Sequence, residues 1–191
     1  MSLFIRPATI DDLPLCMEID RSYDTTETWQ MEPRRGNGRL SINFQTLRLP
    51  HPLPVKYPYS RDQLHERWQN QVEAFFVMEK ELRGQNENPL CGYVNVRMDR
   101  VDGIAWLGDL VVDPAYRRQG HGEHLLEIAN KWGRTQQWGQ DGHANRLMVA
   151  LQTKNSPAIQ FYRKNGFSFR GYHETYFHTG DIALYFGVKL K

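Results

Sequence analysis

A strand, a glycine-containing turn and a helix follow one another between residues 104 and 132, and this segment constrains the fold most. The apolar stretch Ile104 to Val112 predicts a strand. A helix is predicted from about Gly122 to Trp132, because apolar residues recur there at helical spacing, namely Leu125, Leu126, Ala129 and Trp132. The turn between the two elements carries Arg117, Arg118, Gln119, Gly120, His121 and Gly122.

This turn has the properties of an anion-binding site. Gly120 and Gly122 let the main chain approach a ligand closely and adopt a positive φ where one is required. The helix begins at the same place, so its unpaired amide hydrogens and the positive end of its dipole point into the turn. Arg117 and Arg118 add positive charge, and the combination suits a diphosphate. Taken alone, the segment also fits an ordinary turn with solvated arginines.

Two familiar nucleotide-binding glycine patterns are missing from the chain. The turn does not match GxGxxG, and GxxxxGK[ST] occurs nowhere in the sequence. The anion site is therefore predicted to serve chemistry other than that of NAD or ATP.

A second short segment, Asn155 to Phe167, specifies a helix and both of its ends. Ser156 is predicted as the N-cap residue and Pro157 as the first helical residue. Gly166 is expected just beyond the last turn. Asn155 stands before the helix, where its side-chain amide can both donate and accept a hydrogen bond.

The order of predicted elements indicates the fold class. Predicted strands cover 3–5, 25–31, 40–49, 74–80, 90–99, 104–112, 146–152, 167–176 and 181–188, and predicted helices about 11–20, 60–72, 122–132 and 156–165. Arg34 to Gly38 predicts a hairpin turn, whereas Pro50 to Tyr59 predicts an extended, polyproline-like loop. The order β-α-(insert)-α-β-β-β-α-β-α-β-β predicts an α/β (mixed α+β) fold, in which a mixed sheet carries helices on both faces.

Composition excludes several classes of protein. The chain has 191 residues, and 24 Lys+Arg against 22 Asp+Glu leave a net charge of +2, which argues against a non-specific nucleic-acid binder. Cys16 and Cys91 match no CxxC spacing, so neither a disulfide framework nor a four-cysteine zinc site is expected. The longest purely apolar run is Ala74 to Met78, and the first residues lack a signal-peptide pattern. A cytoplasmic protein without membrane or nucleic-acid partners is predicted.

The two motif segments together resemble the GCN5-related N-acetyltransferase (GNAT) family. Family members have (Arg/Gln)-x-x-Gly-x-(Gly/Ala) between a strand and a helix, which Arg117, Gly120 and Gly122 match. They later have Asn-x-x-Ala-x-x-(Phe/Leu)-Tyr-x-x-x-Gly-Phe, matched here by Asn155, Ala158, Phe161, Tyr162, Gly166 and Phe167. The resemblance is strong over about 104–190 and weaker over 1–100. It implies a central, mostly antiparallel sheet that is splayed in the middle, in a single domain spanning 1–191.

The resemblance also implies an acetyl-coenzyme A site. Backbone amides of the strand end, Leu110, Val111 and Val112, would bind the pantetheine arm, and amides of the turn would cradle the diphosphate. The turn residues are Arg117, Arg118, Gln119, Gly120, His121 and Gly122. Asn155 would bond the pantetheine beside Ala158, and Tyr162 would lie near the sulfur unless it is simply a core aromatic next to Phe161. No metal is expected as a cofactor.

Acetyl transfer from a thioester needs a neutral amine and stabilisation of the leaving thiolate. A phenol of pKa about 10 is a weaker acid than a thiol of pKa about 8.5. We therefore expect Tyr162 to stabilise the thiolate by a hydrogen bond rather than by full proton transfer. Asp109 is the leading candidate to bind or deprotonate the amine, with a simple ion-pairing role as its alternative, and Glu79 and Glu81 are weaker candidates.

Two further groups of side chains invite a functional interpretation. His173, Glu174 and His178 do not match HExxH, because the two histidines are five residues apart instead of four, so a metal site is not predicted. The tyrosines of the proline-rich segment, Tyr57 and Tyr59, are expected to line an acceptor pocket.

The acceptor is the least determined part of the prediction. By resemblance, the segment after the first helix and the last strand pair shape the acceptor site, and here the former, 22–59, is unusually long. We expect it to narrow the pocket and to favour a small primary amine, polyamine-like or antibiotic-like. Gly171 to Leu190 is also similar to streptothricin-type acetyltransferases. The alternatives are a protein N-terminal α-amine acetyltransferase and a non-catalytic regulator that binds coenzyme A. Since dimers are frequent among similar proteins, a homodimer is an expected partner to test for.

Overall fold

The protein is described here by a computed structural model covering residues 3–71, 73–80, 89–138 and 142–190. The helices in these ranges are α1 (Asp12–Glu18), α2 (Arg61–Gln71), α3 (His121–Thr135) and α4 (Ser156–Lys164). The strands are β1 (Leu3–Pro7), β2 (Tyr23–Gly36), β3 (Arg39–Val55), β4 (Ala74–Lys80), β5 (Leu90–Asp99), β6 (Ile104–Val112), β7 (Gln137–Trp138), β8 (Gly142–His143), β9 (Arg146–Gln152), β10 (Ser168–His173) and β11 (Ala183–Lys189).

The chain divides into two compact units. The first consists of Met1–Arg21, Tyr59–Val149 and Gly187–Lys191, and the second of Ser22–Pro58 and Ala150–Phe186. The expectation of a single domain over 1–191 stays a prediction.

In the first unit the sheet has the strand order β1-β4-β5-β6-β9. The β1–β4, β4–β5 and β5–β6 pairs are antiparallel, whereas β6 and β9 are parallel. The β6–β9 ladder stops at Leu107 and Val149, five residues before β6 ends, which is where the sheet splays. Helices cover both faces of β5: Tyr93 contacts Trp68 of α2 on one face, and Leu125 of α3 lies over Gly92 on the other.

The second unit joins a long hairpin to the C-terminal strands. The hairpin of β2 and β3 turns at Asn37 and Gly38, whose φ angles of 48° and 70° identify a two-residue turn of type I′. Farther along, the end of β9 is followed in strand order by β11 and β10. Trp29 of the hairpin packs edge-on against Phe186 of β11 with ring centroids 6.2 Å apart, and its amide donates to the Thr153 carbonyl at 2.9 Å.

The structure confirms the predicted α/β class with a mostly antiparallel, splayed sheet. The predicted bounds of the strands at 74–80, 90–99, 104–112 and 146–152 coincide with β4, β5, β6 and β9. Ser60 and Gln63 form the capping box of α2, with the Ser60 amide donating to Gln63 Oε1 at 2.9 Å. The polar segment Arg83 to Pro89, for which the sequence predicts a turn between β4 and β5, lies almost wholly outside the described residues.

Two local predictions are wrong, and a small hairpin was not predicted. Residues 50–55 belong to β3 instead of a loop. In the two-stranded sheet β3 pairs only with β2, so its other edge tolerates the amide hydrogens that proline lacks. The N-cap of α4 is Asn155, not Ser156, since Asn155 Oδ1 accepts from the Ala158 amide at 3.2 Å. The short pair β7–β8 lacks any strand-length apolar pattern.

Candidate active site

Asp109 lies on β6 in the first unit, and its carboxylate is held by two neutral donors. Trp68 Nε1 donates to Asp109 Oδ2 at 3.0 Å, and Asn95 Nδ2 donates to the same oxygen at 2.7 Å. All three side chains are buried. These bonds restrict the rotation of the carboxylate, so its orientation is built into the fold rather than chosen when a ligand binds.

A β-bulge places Asp109 on this face of the sheet. Asn95 pairs with Asp109 whereas Val96 pairs with Leu107, which leaves Gly108 as the extra residue on β6. Asn95 Oδ1 accepts from the Asp109 amide at 3.1 Å and so takes up a donor in the irregular ladder. A Cβ at Gly108 would overlap Asn95 Oδ1, and therefore only glycine fits there.

Sequence analysis missed this arrangement around Asp109, although signals were present. A glycine inside a strand indicates a bulge, and Gly108 stands between Leu107 and Asp109. A polar residue within an apolar strand, such as Asn95, indicates a specific hydrogen-bond partner. Trp68 gave no such signal, because its position on the apolar stripe of α2 fits simple core packing.

The turn after β6 has the backbone geometry of an anion cradle. Arg118 and Gly120 both have positive φ, at 63° and 87°, and Gly120 is the N-cap residue of α3. Alternating left-handed residues turn successive amide groups towards one side of the chain, which is the arrangement of an anion-binding nest. A Cβ at Gly120 would meet no heavy atom within 4 Å, apart from its immediate neighbours, so the turn is open on that side. These features fit a diphosphate.

The side chain of Arg117 holds the turn in place. Its Nε donates to the Val112 carbonyl at 2.8 Å, and its Nη2 donates to the Asp20 carbonyl at 2.8 Å. Burial lowers the pKa of Arg117. The guanidinium is thus used to fasten the end of β6 to the segment after α1, while Arg118 and Gln119 are exposed and His121 is half-buried near Tyr116.

Asn155, Ala158 and Tyr162 lie on or beside α4 in the second unit. Because Asn155 Oδ1 caps the helix through the Ala158 amide, the side chain offers its Nδ2 group as a donor. Gly166, with φ of 82°, ends the helix as predicted, and the Phe167 amide donates to the Tyr162 carbonyl at 3.0 Å.

Tyr162 is buried among aromatic rings. Its ring is edge-on to Phe161 and to Phe167, with centroid distances of 5.1 Å and 5.0 Å. Both contacts fix the ring plane, and hence the direction of the phenol hydroxyl. The packing is compatible with the core role and with the thiolate-binding role predicted for this residue.

The structure thus brings the predicted residues together in two groups. Asp109, Leu110, Val111, Val112 and residues 117–122 form one group in the first unit, and Asn155, Ala158 and Tyr162 form the other in the second unit. That both groups bind one molecule of acetyl-coenzyme A stays a prediction.

The remaining candidates occupy other surroundings. Glu79 Oε2 accepts from Arg6 Nε at 2.6 Å, so its carboxylate is engaged in an ion pair, whereas Glu81 lies outside the described residues. His173 packs edge-on against Tyr176, with centroids 5.7 Å apart. Tyr59 lies against the guanidinium of Arg67, with 3.9 Å from Cζ to the ring centroid. Its predicted place in an acceptor pocket is not tested by this contact.

A cavity of about 500 Å³ lies elsewhere in the first unit. Its lining comes from the start of α1, the end of α2, the start of β4 and Trp132 of α3. The lining includes Trp68, whose indole donates to Asp109 Oδ2, so the cavity adjoins the support of that carboxylate, although no residue of β6 or of the turn after it is among the lining residues. Among the described helices, none is both long and apolar enough to cross a bilayer.

Comparison with known proteins gives matches over the whole chain and over parts of it. The structure is similar to that of a nourseothricin acetyltransferase, with a TM-score of 0.78 and 20% identity over 100% of both chains. It is also similar to a putative streptothricin acetyltransferase from Bacillus anthracis str. Ames in complex with acetyl coenzyme A, with a TM-score of 0.73 and 22% identity over 100% of both chains. At these identities the likeness establishes the fold alone.

A curated relative is similar over a shorter stretch. A mycothiol acetyltransferase of Streptosporangium roseum is 43% identical over 67 residues, which make up 34% of this chain and 19% of that protein. The matched part therefore spans about a fifth of the curated relative's length. A sequence profile described as the acetyltransferase (GNAT) family matches residues 42–167, well over half of the 191-residue chain. With both motifs in place and the fold confirmed, the chain belongs to the GNAT family of acetyl-CoA-dependent acetyltransferases.

Proposed function

We propose that the protein transfers an acetyl group from acetyl-coenzyme A to a primary amine of a small molecule, by direct attack in a ternary complex. The observation that carries the proposal is the open turn before α3, where Arg118 and Gly120 have positive φ. Amide groups turned to one side at a helix N-terminus suit the diphosphate of coenzyme A.

The pantetheine arm would lie along the stretch of β6 that is not paired with β9. Beyond Leu107 the parallel ladder with β9 is not continued, so the backbone near Leu110 and Val112 offers hydrogen-bonding groups on that edge. On the second unit, Asn155 Nδ2 would donate to an amide carbonyl of the same arm. Both contacts use groups that the fold has already oriented.

Tyr162 would act on the leaving group. Acetyl-coenzyme A supplies the acetyl group as a thioester, whose cleavage leaves a thiolate. A phenol hydroxyl held by two flanking rings can donate a hydrogen bond to that sulfur, and a charge-assisted hydrogen bond contributes about 1.5–3 kcal/mol. Full transfer of the proton would be uphill by roughly 2 kcal/mol, given the ordinary pKa values of a phenol and a thiol.

Asp109 would bind the acceptor amine or remove its proton. An amine of pKa about 10.4 costs roughly 4.6 kcal/mol to deprotonate at pH 7, whereas an α-amine of pKa near 7.8 costs about 1 kcal/mol. A lysine-like or polyamine acceptor therefore needs a base far more than a peptide N-terminus does. The fixed orientation of the Asp109 carboxylate supports this role.

A small amine is favoured by the packing of the second unit. The hairpin of β2 and β3 and the strands β10 and β11 are the segments expected to shape the acceptor site. They are packed together there, since Phe44 contacts Phe169 and Tyr172 with centroid distances of 5.6 Å and 5.4 Å. Such a packed wall suits a defined pocket better than an open groove for peptides.

Diphosphate binding at the turn before α3 can be tested by comparing substitutions at two glycines that both have positive φ. Gly120 and Gly38 both have positive φ and open space where a Cβ would lie, so alanine at either position costs about 1 kcal/mol of backbone strain. We expect Gly120→Ala to weaken acetyl-coenzyme A binding about tenfold in calorimetry, and Gly38→Ala to leave it unchanged. Equal affinities for both variants would contradict a diphosphate at this turn.

The activity is tested by thiol release from acetyl-coenzyme A with a panel of polyamines, aminoglycosides, streptothricins and peptides with a free N-terminus. We expect turnover with at least one small amine. Turnover with the peptides alone would instead establish the N-terminal α-amine alternative. Tight cofactor binding without thiol release from any acceptor would indicate a non-catalytic regulator.

A further inference from the structure

Glu27 of β2 lies at the N-terminus of α4, the helix that carries Asn155 and Tyr162. Ser156, the first residue of α4, donates from Oγ to Glu27 Oε2 at 3.5 Å. Gln160 Nε2 donates to Ser156 Oγ at 3.1 Å, which turns the serine proton towards the glutamate. The Glu27 carboxylate therefore lies at the same end of α4 as Asn155, the residue proposed to bond the pantetheine. Neither of the two sequence motifs includes Glu27.

The β2–β3 ladder is irregular next to Glu27. In the β2–β3 ladder Thr25 pairs with Leu53, whereas Glu27 pairs with Arg48. The residues skipped on β3 are 49–52, a stretch that contains two prolines without an amide donor. The proline-rich segment thus produces an irregularity next to the Glu27–Arg48 pair.

Thr25 holds the backbone of Glu27 beside this irregularity. Its hydroxyl donates to the Glu27 carbonyl at 2.6 Å and accepts from the Glu27 amide at 3.4 Å. Thr25 is buried, with 2% of its surface exposed, while Glu27 is half-buried. One hydroxyl therefore satisfies both main-chain groups that the irregular ladder disturbs.

The charge of Glu27 is not neutralised by a neighbouring cation in the described part of the chain. Lys154, two residues before Ser156 in the chain, has its Nζ 2.9 Å from Asp181 Oδ2 and is paired there. Arg48 stands opposite on β3, but within the described residues its guanidinium forms no ion pair with Glu27. Apart from the positive end of the α4 dipole, the half-buried carboxylate has, in the ranges that the structure describes, only a long bond from a hydroxyl, and a carboxylate so placed can bind an additional cation.

We propose that Glu27 binds a second positive charge of the acceptor, one that is not acetylated, and that Thr25 is its positioning residue. The proposal rests on the proposed function, because it places the acceptor at the N-terminal end of α4. It deepens that function by assigning the substrate class: amines with at least two ammonium groups. Selectivity for them over monoamines would come from the inserted hairpin.

The test compares spermidine with n-hexylamine, an aliphatic monoamine, in wild type and in Glu27→Gln. Glu32→Gln is the matched control, since Glu32 lies on the same strand and accepts from Gln45 Nε2 at 2.6 Å. Binding is measured by calorimetry with and without coenzyme A, and kcat/KM by thiol release. We expect Glu27→Gln to weaken spermidine binding about tenfold or more, the scale of one charge-assisted hydrogen bond, with n-hexylamine unaffected.

Thr25 supplies a second comparison. Thr25→Val removes the hydroxyl at nearly constant volume, whereas Thr25→Ser retains it. We expect Thr25→Val to lose selectivity for spermidine through KM, with kcat for n-hexylamine preserved, and Thr25→Ser to restore it. A merely structural hydroxyl would lower the unfolding free energy without changing the ratio between the two amines.

The outcomes separate the inference from the function on which it rests. Spermidine binding that depends on Glu27, with no acetylation of spermidine or of any other small amine in the panel, would support the binding role of Glu27 and contradict the proposed function. If Glu27→Gln acetylates spermidine with the same preference over n-hexylamine as wild type does, the proposed function is supported and the inference about Glu27 is contradicted. Failure of the wild-type protein to bind spermidine, or equal losses for both amines, would also overturn the inference.

Discussion

Tyr162 combines a buried ring with a hydroxyl whose direction is set by Phe161 and Phe167. If the hydroxyl stabilises the leaving thiolate, its removal affects the chemical step and not the binding of the cofactor. We expect Tyr162→Phe to lower kcat about 10- to 100-fold, the value of one charge-assisted hydrogen bond, with the Kd for acetyl-coenzyme A changed less than twofold. Steady-state kinetics and calorimetry measure the two quantities. Parallel losses in both would identify Tyr162 as a purely structural aromatic.

If Asp109 is a general base, the loss of activity on mutating it should depend on the pKa of the acceptor amine; if it is a structural carboxylate, the loss should not. General bases contribute about 10²–10⁴-fold, and the benefit is larger for an acceptor that is mostly protonated. At pH 7 we expect Asp109→Asn to reduce kcat/KM much more for an amine of pKa about 10.4 than for one near 7.8. Raising the pH deprotonates the first amine directly, so the deficit should shrink. A deficit independent of pH and of the amine would show that Asp109 only holds Trp68 and Asn95 in place.

At the scale of the strand, the bulge in β6 depends on the missing side chain of Gly108. A Cβ there would displace Asn95 Oδ1 and break its bond with the Asp109 amide. We expect Gly108→Ala to lower the unfolding free energy by about 1–3 kcal/mol, as overpacking of a core does, and to reduce turnover.

A double-mutant cycle tests the cause of that loss. In an Asn95→Ala background the obstructing oxygen is absent, so Gly108→Ala should cost much less than in the wild type, as urea unfolding would show. Additive costs would mean that the bulge depends on main-chain strain instead of the Asn95 contact.

At the scale of the whole molecule, acid sensitivity is expected from the ion pairs that join β1, α1 and β4. Arg6 binds Asp12 at 2.7 Å and Glu79 at 2.6 Å. The Arg6 hydrogen bond, assisted by the Thr9 amide, lowers the pKa of Asp12 from 3.8 to about 2. Because the folded state binds this proton less readily, the resulting stability is present above about pH 4 and is lost as the pH falls through about 2.

The shift of the Asp12 pKa corresponds to about 2 kcal/mol. We expect the unfolding free energy of wild type to exceed that of Asp12→Asn by about this amount at pH 6, and the difference to disappear near pH 2. Urea unfolding across this range measures it. A difference that persists unchanged at pH 2 would assign the effect to packing around Asp12 rather than to its charge.

The elements with local signals were predicted from sequence, because their ends are set by neighbouring residues. The α4 segment carries its cap, its proline and its terminal glycine within about a dozen residues, and β4, β5, β6 and β9 are bounded by turns. The prediction of a loop over the proline-rich stretch was wrong for 50–55, since residues 53–55 pair with β2 and the chain stays extended through the skipped residues before them. A local preference for a loop can be overridden by strand pairing at the edge of a sheet, because the amide hydrogens that proline lacks are not needed on the outer side of an edge strand.

The sequence by itself determined the family, because the two motifs that identify it each consist of residues close together in the chain; the turn after β6 and the pair Asn155 and Tyr162 stay predictions of a binding site. Only the tertiary structure decided that Trp68 and Asn95 hold Asp109, and that Thr25 holds Glu27 beside Ser156. These partners are separated by up to 129 residues, and no local pattern records a contact that forms only when distant strands and helices pack.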